Sequence, residues 1–136
     1  MSSKSTLIRF RRSVVTWFRK HGRDLPWRRT RDPYRILVSE FMLQQTQVSR
    51  VEAFYHRFLD RYPDLATLAQ ATPVMVRESW SGLGDYRRAD NLHRLARSLV
   101  TDGPGTIPSD VATLRSLPGV GAYTAGAVAA FAFEAA

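Results

Sequence analysis

Ser116-Leu117-Pro118-Gly119-Val120-Gly121-Ala122-Tyr123-Thr124-Ala125-Gly126-Ala127 is the stretch on which the reading of the fold turns. A short helix capped by Ser109 and Asp110 runs to Ser116, a Pro-Gly-X-Gly sequence reverses the chain, and a second helix starts near Ala122. Glycines at 119 and 121 let the backbone turn sharply and approach a ligand with no Cβ in the way. The N-terminus of the following helix offers unpaired N–H groups and a partial positive charge, which suits a phosphate. A plain corner between two packed helices needs glycine too, so the turn by itself leaves both readings open.

Working outward, the segments on either side also read as helices. Tyr123 to Phe133 is small and apolar, suited to a buried helix. Upstream, Tyr86 to about Val100 sets Ala89, Leu92, Leu95, Ala96 and Leu99 on one face, and Gly103-Pro104-Gly105 with Pro108 forms a loop. Thr72-Pro73 opens a helix that ends at the tight turn Gly82-Leu83-Gly84, preceded by a short helix from Asp64 to Ala71 and a longer one from Val48 to Tyr62 closed by Pro63. Asp32-Pro33, an N-cap followed by proline at the first helical position, starts a helix running to about Gln45. Before it, Arg23 to Arg31 reads as a polar loop that exposes Trp27 among arginines. An amphipathic helix from about Thr6 to His21 precedes that loop, with Leu7, Ile8, Phe10, Val14, Val15 and Phe18 at near-helical spacing. No segment alternates with period two. The expected class is all-α, with seven or eight short helices, divided into a basic N-terminal helix and loop at 1–31 and a helical body at 32–136 with its hairpin at 117–121.

Composition narrows the function classes. The 136 residues suffice for one domain with a real core, and a 44% hydrophobic, 24% charged composition is that of a globular protein. No run of eighteen apolar residues and no signal-peptide pattern occurs, so the expectation is a cytoplasmic protein without membrane contact. With no cysteine, the chain has no disulfide, catalytic thiolate, cysteine-ligated zinc or iron–sulfur cluster of its own. The net charge of +8 is unevenly placed: residues 1–31 hold ten Lys and Arg against the single acid Asp24, whereas the remainder holds ten bases against eleven acids. A polyanionic partner and a solvated basic face account equally for that asymmetry.

Three positions carry candidate chemistry. Glu40 lies mid-helix in Ile36-Leu37-Val38-Ser39-Glu40-Phe41-Met42-Leu43, with Ile36, Leu37, Leu43 and Gln44 one turn away. A carboxyl facing such a surface or a cleft is disfavoured as an anion and becomes a general acid near neutral pH, although an exposed or salt-bridged glutamate fits the pattern as well. Gln44-Gln45-Thr46 can hydrogen-bond bases or cap the helix. Tyr123 can donate a phenolic hydrogen bond where a lysine would offer a Schiff-base nucleophile, or simply pack at an interface.

The hairpin followed by Tyr123-Thr124-Ala125 resembles the helix-hairpin-helix of the endonuclease III-like DNA glycosylase superfamily. Asp24-Leu25-Pro26-Trp27-Arg28, Asp32-Pro33-Tyr34, Ser39 to Val48, Trp80-Ser81-Gly82-Leu83-Gly84 and Asn91-Leu92-His93 follow in the order and spacing of its MutY-type, adenine-removing branch, from about Phe10 to Phe133. The resemblance implies a six-helix barrel plus the N-terminal helix of a second, cluster-bearing domain. It implies a monofunctional base-excision glycosylase that hydrolyses the N-glycosidic bond of adenine opposite 8-oxoguanine or guanine, after flipping the adenine out of the duplex.

By the same resemblance, Glu40 is the acid that protonates adenine, and Tyr123 stands where bifunctional relatives carry a lysine. Arg23, Leu25, Trp27 and Val48 form the adenine pocket, Gln45 enters the base stack beside Gln44, and Arg28 contacts a phosphate. The backbone of Gly119, Val120 and Gly121 grips the DNA, often with a monovalent cation on nearby carbonyls. The implied partner is double-stranded DNA with mismatched or oxidised pairs, bound by a monomer in a bacterial or archaeal cell.

Two departures bear on these expectations. Where the branch has two aromatics after Gly-Leu-Gly, the first a wedge beside the oxidised guanine, this chain has Asp85 and then Tyr86. An anionic residue there opposes phosphate and cannot stack. The family's catalytic aspartate, its 4Fe-4S cluster cysteines and its lesion-reading domain would all fall beyond Ala136. The expectation is therefore a truncated protein with weak or no activity in isolation and no cofactor within this chain. A thymine-mismatch glycosylase of the same superfamily and a non-catalytic DNA-binding remnant are the alternatives.

Overall fold

Asp32, Asp64, Thr72, Asp85 and Asp110 each stand one residue ahead of a helix and accept a backbone N–H from its first turn, from Tyr34, Thr67, Met75, Arg87 and Thr113 respectively. These caps satisfy donors that a helix start otherwise leaves unpaired and so fix where the helices begin. The computed structural model describes residues 24–134. It contains a 3₁₀ turn (Pro26–Arg28) and seven α-helices: α1 (Pro33–Leu43), α2 (Val48–Arg61), α3 (Leu65–Gln70), α4 (Pro73–Ser79), α5 (Tyr86–Arg97), α6 (Val111–Arg115) and α7 (Ala122–Val128). α5 and α7 each continue into one wider, π-type turn, Ser98–Asp102 and Ala129–Phe133. The described residues include no strand, so the fold is all-α. The N-terminal helix expected at Thr6–His21 lies outside the described residues.

α1 is the axis of the molecule. Ile36, Leu37, Val38, Ser39, Glu40, Phe41 and Met42 are all buried, and α2, α5, α7 and the 3₁₀ turn pack around them. Full burial of each large apolar side chain there contributes about 2 kcal/mol, enough to hold a helix in which Ser39 spends its hydroxyl on the Ile36 carbonyl at 2.7 Å. Tyr34 Oη donates to Tyr62 O at 2.7 Å and ties the start of α1 to the end of α2. α3 and α4 close the far side against α5, where His93 Nε2 meets Ala71 O at 2.8 Å. No described helix is long and apolar enough to cross a membrane.

Two expectations change. Trp27 is not an exposed loop residue. Pro26 pre-sets a 3₁₀ turn that swings the indole into the core, fully buried and edge-on to Tyr55 at 5.2 Å between ring centroids. α1 also stops at Leu43, short of Gln45, because buried Arg88 intercepts its last carbonyls: Nη1 donates to Met42 O at 2.7 Å and Phe41 O at 3.2 Å. Nη2 donates to Leu83 O at 2.6 Å and Thr46 Oγ1 at 3.0 Å. One guanidinium thus terminates α1 and fastens the Gly82-Leu83-Gly84 turn to it.

Candidate active site

A cavity of about 510 Å³ opens beside the C-terminal half of α1. Leu25, Trp27 and Arg28 line it from the 3₁₀ segment, Glu40 and Leu43 from α1 with Gln44 just after its end, Val48 from α2, and Tyr123 with Thr124 from α7. The residues thus come from four stretches of chain. Its walls are apolar and aromatic with a few polar groups, the usual make-up of a small-molecule site. Glu40 is 3% exposed, and burial pushes its carboxyl above the ordinary carboxylate range. The Arg28 guanidinium, through its charge and a 3.2 Å hydrogen bond from Nη2 to Oε1, pulls it part of the way back. A carboxyl under these opposed pressures can give up a proton to a basic group entering the cavity.

Leu25, Trp27, Val48, Glu40 and Tyr123, expected to act together, surround one space. Arg23 lies outside the described residues. Arg28, expected on a phosphate, turns inward instead: its side chain is 12% exposed, paired with Glu40 and stacked over the Phe131 ring at 4.0 Å. Tyr123 lies at the cavity rim and is 77% exposed, not buried with the rest of its helix, because α7 buries Thr124, Ala125 and Val128 on its other face. Trp27 Nε1 is buried without a hydrogen-bond partner among the described residues.

The hairpin between α6 and α7 stands next to this cavity. Val120 N donates to Leu117 O at 3.2 Å across the turn, and Val120 is buried. Gly119 has φ +76°, and a Cβ there would sit 2.8 Å from Asn91 Cβ and 3.0 Å from the Phe41 ring. Gly121 differs: its φ is −90° and a Cβ would meet nothing within 4 Å. The fold itself needs Gly119, while Gly121 keeps a surface bare. Gln44 bridges hairpin and cavity, with Nε2 at 3.4 Å from both Gly119 O and Thr124 Oγ1.

Gln45 does not line the cavity. It borders a separate open groove of about 1140 Å³ between the α1–α2 loop and the Gly82-Leu83-Gly84 turn, together with Arg50, Arg77, Asp85, Tyr86 and Arg87. Asp85 is occupied there as the N-cap of α5. It accepts from Arg87 N at 3.0 Å, and its other oxygen pairs with Arg87 Nη2 at 3.0 Å, which holds its carboxyl below the usual range. Its charge is met locally by the neighbouring guanidinium. Arg88 and Thr124 were not foreseen as part of the machinery. Arg88 could have been: it shares the apolar face of α5 with Leu92 and Leu95, four and seven residues on.

Residues 38–129 match the family described as HhH-GPD superfamily base excision DNA repair protein. The chain is 47% identical over 123 residues to an adenine DNA glycosylase of Mycolicibacterium smegmatis, covering 90% of this chain and 42% of the relative. It is 44% identical over 134 residues to the adenine DNA glycosylase of Rattus norvegicus, covering 92% of this chain and 26% of the relative. The chain therefore spans less than half the length of these relatives. Among solved structures, a thermostable thymine-DNA glycosylase superposes with a TM-score of 0.79 at 31% identity, over 97% of this chain and 62% of that one.

Proposed function

Because the chain belongs to the HhH-GPD superfamily of base excision DNA repair proteins, we propose that it is the base-recognising part of an adenine DNA glycosylase, binding mismatched duplex DNA and taking a flipped adenine into the Glu40 cavity. The observation that carries this reading is a buried carboxyl, raised above its ordinary range, in an apolar and aromatic cavity of about 510 Å³. Cleaving an N-glycosidic bond to a purine requires the base to leave as a neutral molecule, so a proton must reach the ring as positive charge develops on the sugar. Glu40 is placed to deliver it, and burial among apolar walls raises its affinity for that proton. Tyr123 at the rim offers a phenol and no amine, which fits hydrolysis rather than covalent capture of the sugar.

Among the described residues lining the cavity, Glu40 is the one carboxylate. Stabilisation of the sugar cation therefore has no anionic partner among them, and we expect slow release by these 136 residues alone. The hairpin amides around Gly121 would take the DNA backbone, with its carbonyls holding any monovalent cation. The Gln45 groove would face the opposite strand, where 8-oxoguanine or guanine would stand. No cysteine is available in this chain for an iron–sulfur cluster.

Single-turnover release of labelled adenine, opposite 8-oxoguanine or guanine, tests the reading when wild type and Glu40→Gln are compared with excess protein. The expected loss for Glu40→Gln is on the order of 10²-fold or more. Equal rates would remove Glu40 from the chemistry. Release of thymine from a thymine–guanine pair in preference to adenine would favour the thymine-mismatch reading, for which the similarity to a thymine-DNA glycosylase is the specific observation.

A further inference from the structure

The geometry points to Phe131 as a positioning residue of the Glu40 site: its ring holds the Arg28 guanidinium in the place from which Arg28 reaches the carboxylate. The contacts form a chain of three side chains from three parts of the sequence. The Phe131 ring centroid lies 4.0 Å from Arg28 Cζ, and Arg28 Nη2 lies 3.2 Å from Glu40 Oε1. Phe131 is 6% exposed and the Arg28 side chain 12% exposed, so the guanidinium meets the ring largely out of water, where attraction between a cation and an aromatic face is strongest.

Arg28 holds Glu40 by a single N–H contact. A one-point contact orients a guanidinium less than a bidentate fork does, so a flat surface against it adds to its placement. The ring face supplies that surface. It is delivered by the π-type turn Ala129–Phe133 at the end of α7, a kind of helix widening often found at working sites. The same helix begins at the hairpin and bears Tyr123 and Thr124 on the cavity. Hairpin, cavity rim and the ring under Arg28 are therefore one continuous element.

Among the described residues, Arg28 and Tyr123 are the ionisable groups that line the cavity with Glu40: Arg28 from the 3₁₀ turn, Tyr123 from α7, with Val48 as the neutral contribution of α2. Arg28 is the one whose charge bears on Glu40. Loosening Arg28 leaves burial less opposed, so the carboxyl should hold its proton to higher pH. The ring thus sets how readily Glu40 protonates without touching the base. This inference deepens the reading of Glu40 as the proton donor, but its test needs no turnover.

The chain has four glutamates, so the Glu40 side-chain carboxyl can be followed by carbon-13 NMR across a pH titration and assigned by its disappearance in Glu40→Gln. Arg28→Met should move the Glu40 midpoint upward. Phe131→Leu should move it in the same direction by a smaller amount, Phe131→Met should do likewise if the leucine variant does not fold, and Phe131→Tyr, which keeps the ring, should stay at the wild-type midpoint. In a chain already carrying Arg28→Met, Phe131→Leu should add no shift. An unmoved midpoint in Phe131→Leu, or an equal shift with and without Arg28→Met, would overturn the proposal and reduce Phe131 to core packing. The expected titration result alongside unchanged base release by Glu40→Gln would instead fault the catalytic reading alone.

Discussion

Glu40 gathers two opposite influences on one carboxyl, burial pushing its proton affinity up and Arg28 pulling it down, with burial the larger. Its folded-state value therefore stands above the unfolded one, so the folded protein binds more protons between the two. Stability then falls as pH rises through that window, and the loss is complete above the folded value. Glutamine cannot ionise, so the melting temperature of Glu40→Gln minus that of wild type should grow as pH rises from 4.5, and base release by wild type should decline over the same window. A constant difference from pH 4 to pH 8 would contradict a Glu40 carboxyl raised by burial. The hairpin glycines separate in the same residue-by-residue way. Gly119→Ala forces a Cβ against Asn91 and Phe41 at a positive φ and should cost about 1–3 kcal/mol in urea denaturation. Gly121→Ala meets open space and should leave stability within about 0.5 kcal/mol while weakening duplex binding.

Among the elements, α1 and α5 are locked to one another by Arg88. Replacing it with methionine keeps much of the packing volume but orphans the carbonyls of Phe41 and Met42 and leaves Leu83 O with Thr46 Oγ1 alone. The expected loss is about 3 kcal/mol, read from the urea midpoint, and a variant within 0.5 kcal/mol of wild type would mean that water satisfies those carbonyls (roughly the range of a neutral surface change). Asp85→Tyr restores the aromatic of the related branch but removes the cap of α5, so it should cost about 1 kcal/mol. Helix starts were legible in the sequence because a cap acts on the residues just after it, as Asp32, Asp64 and Asp110 do. The Glu40 environment was legible for a related reason, since apolar residues three and four positions away place a side chain on a buried face. Contacts distant in sequence were not legible. Trp27 looked exposed among arginines because its partner Tyr55 lies 28 residues on. Arg28 looked free for phosphate because Glu40 lies a helix away, and only Arg88 among the unforeseen residues left a trace, on the apolar face of α5.

At the scale of the whole molecule, hairpin, cavity and groove all meet at the end of α1, and the proposed function has the hairpin hold a duplex with one base at the cavity and its opposite strand at the groove. The +8 net charge should make duplex binding fall steeply with salt, since each phosphate contact releases counterions. The most direct test of the account watches Trp27, whose buried Nε1 has no hydrogen-bond partner among the described residues and whose ring lines the cavity. The measurement is the assigned indole N–H resonance of Trp27 during titration with a duplex carrying 2′-fluoro-2′-deoxyadenosine opposite guanine, in which the fluorine opposes cation formation at the sugar and keeps the base attached. The account requires that this resonance shift on saturation with that duplex, and that it stay in place with an otherwise identical duplex lacking the base at that position. Binding of both duplexes with the Trp27 resonance unmoved in each would contradict it.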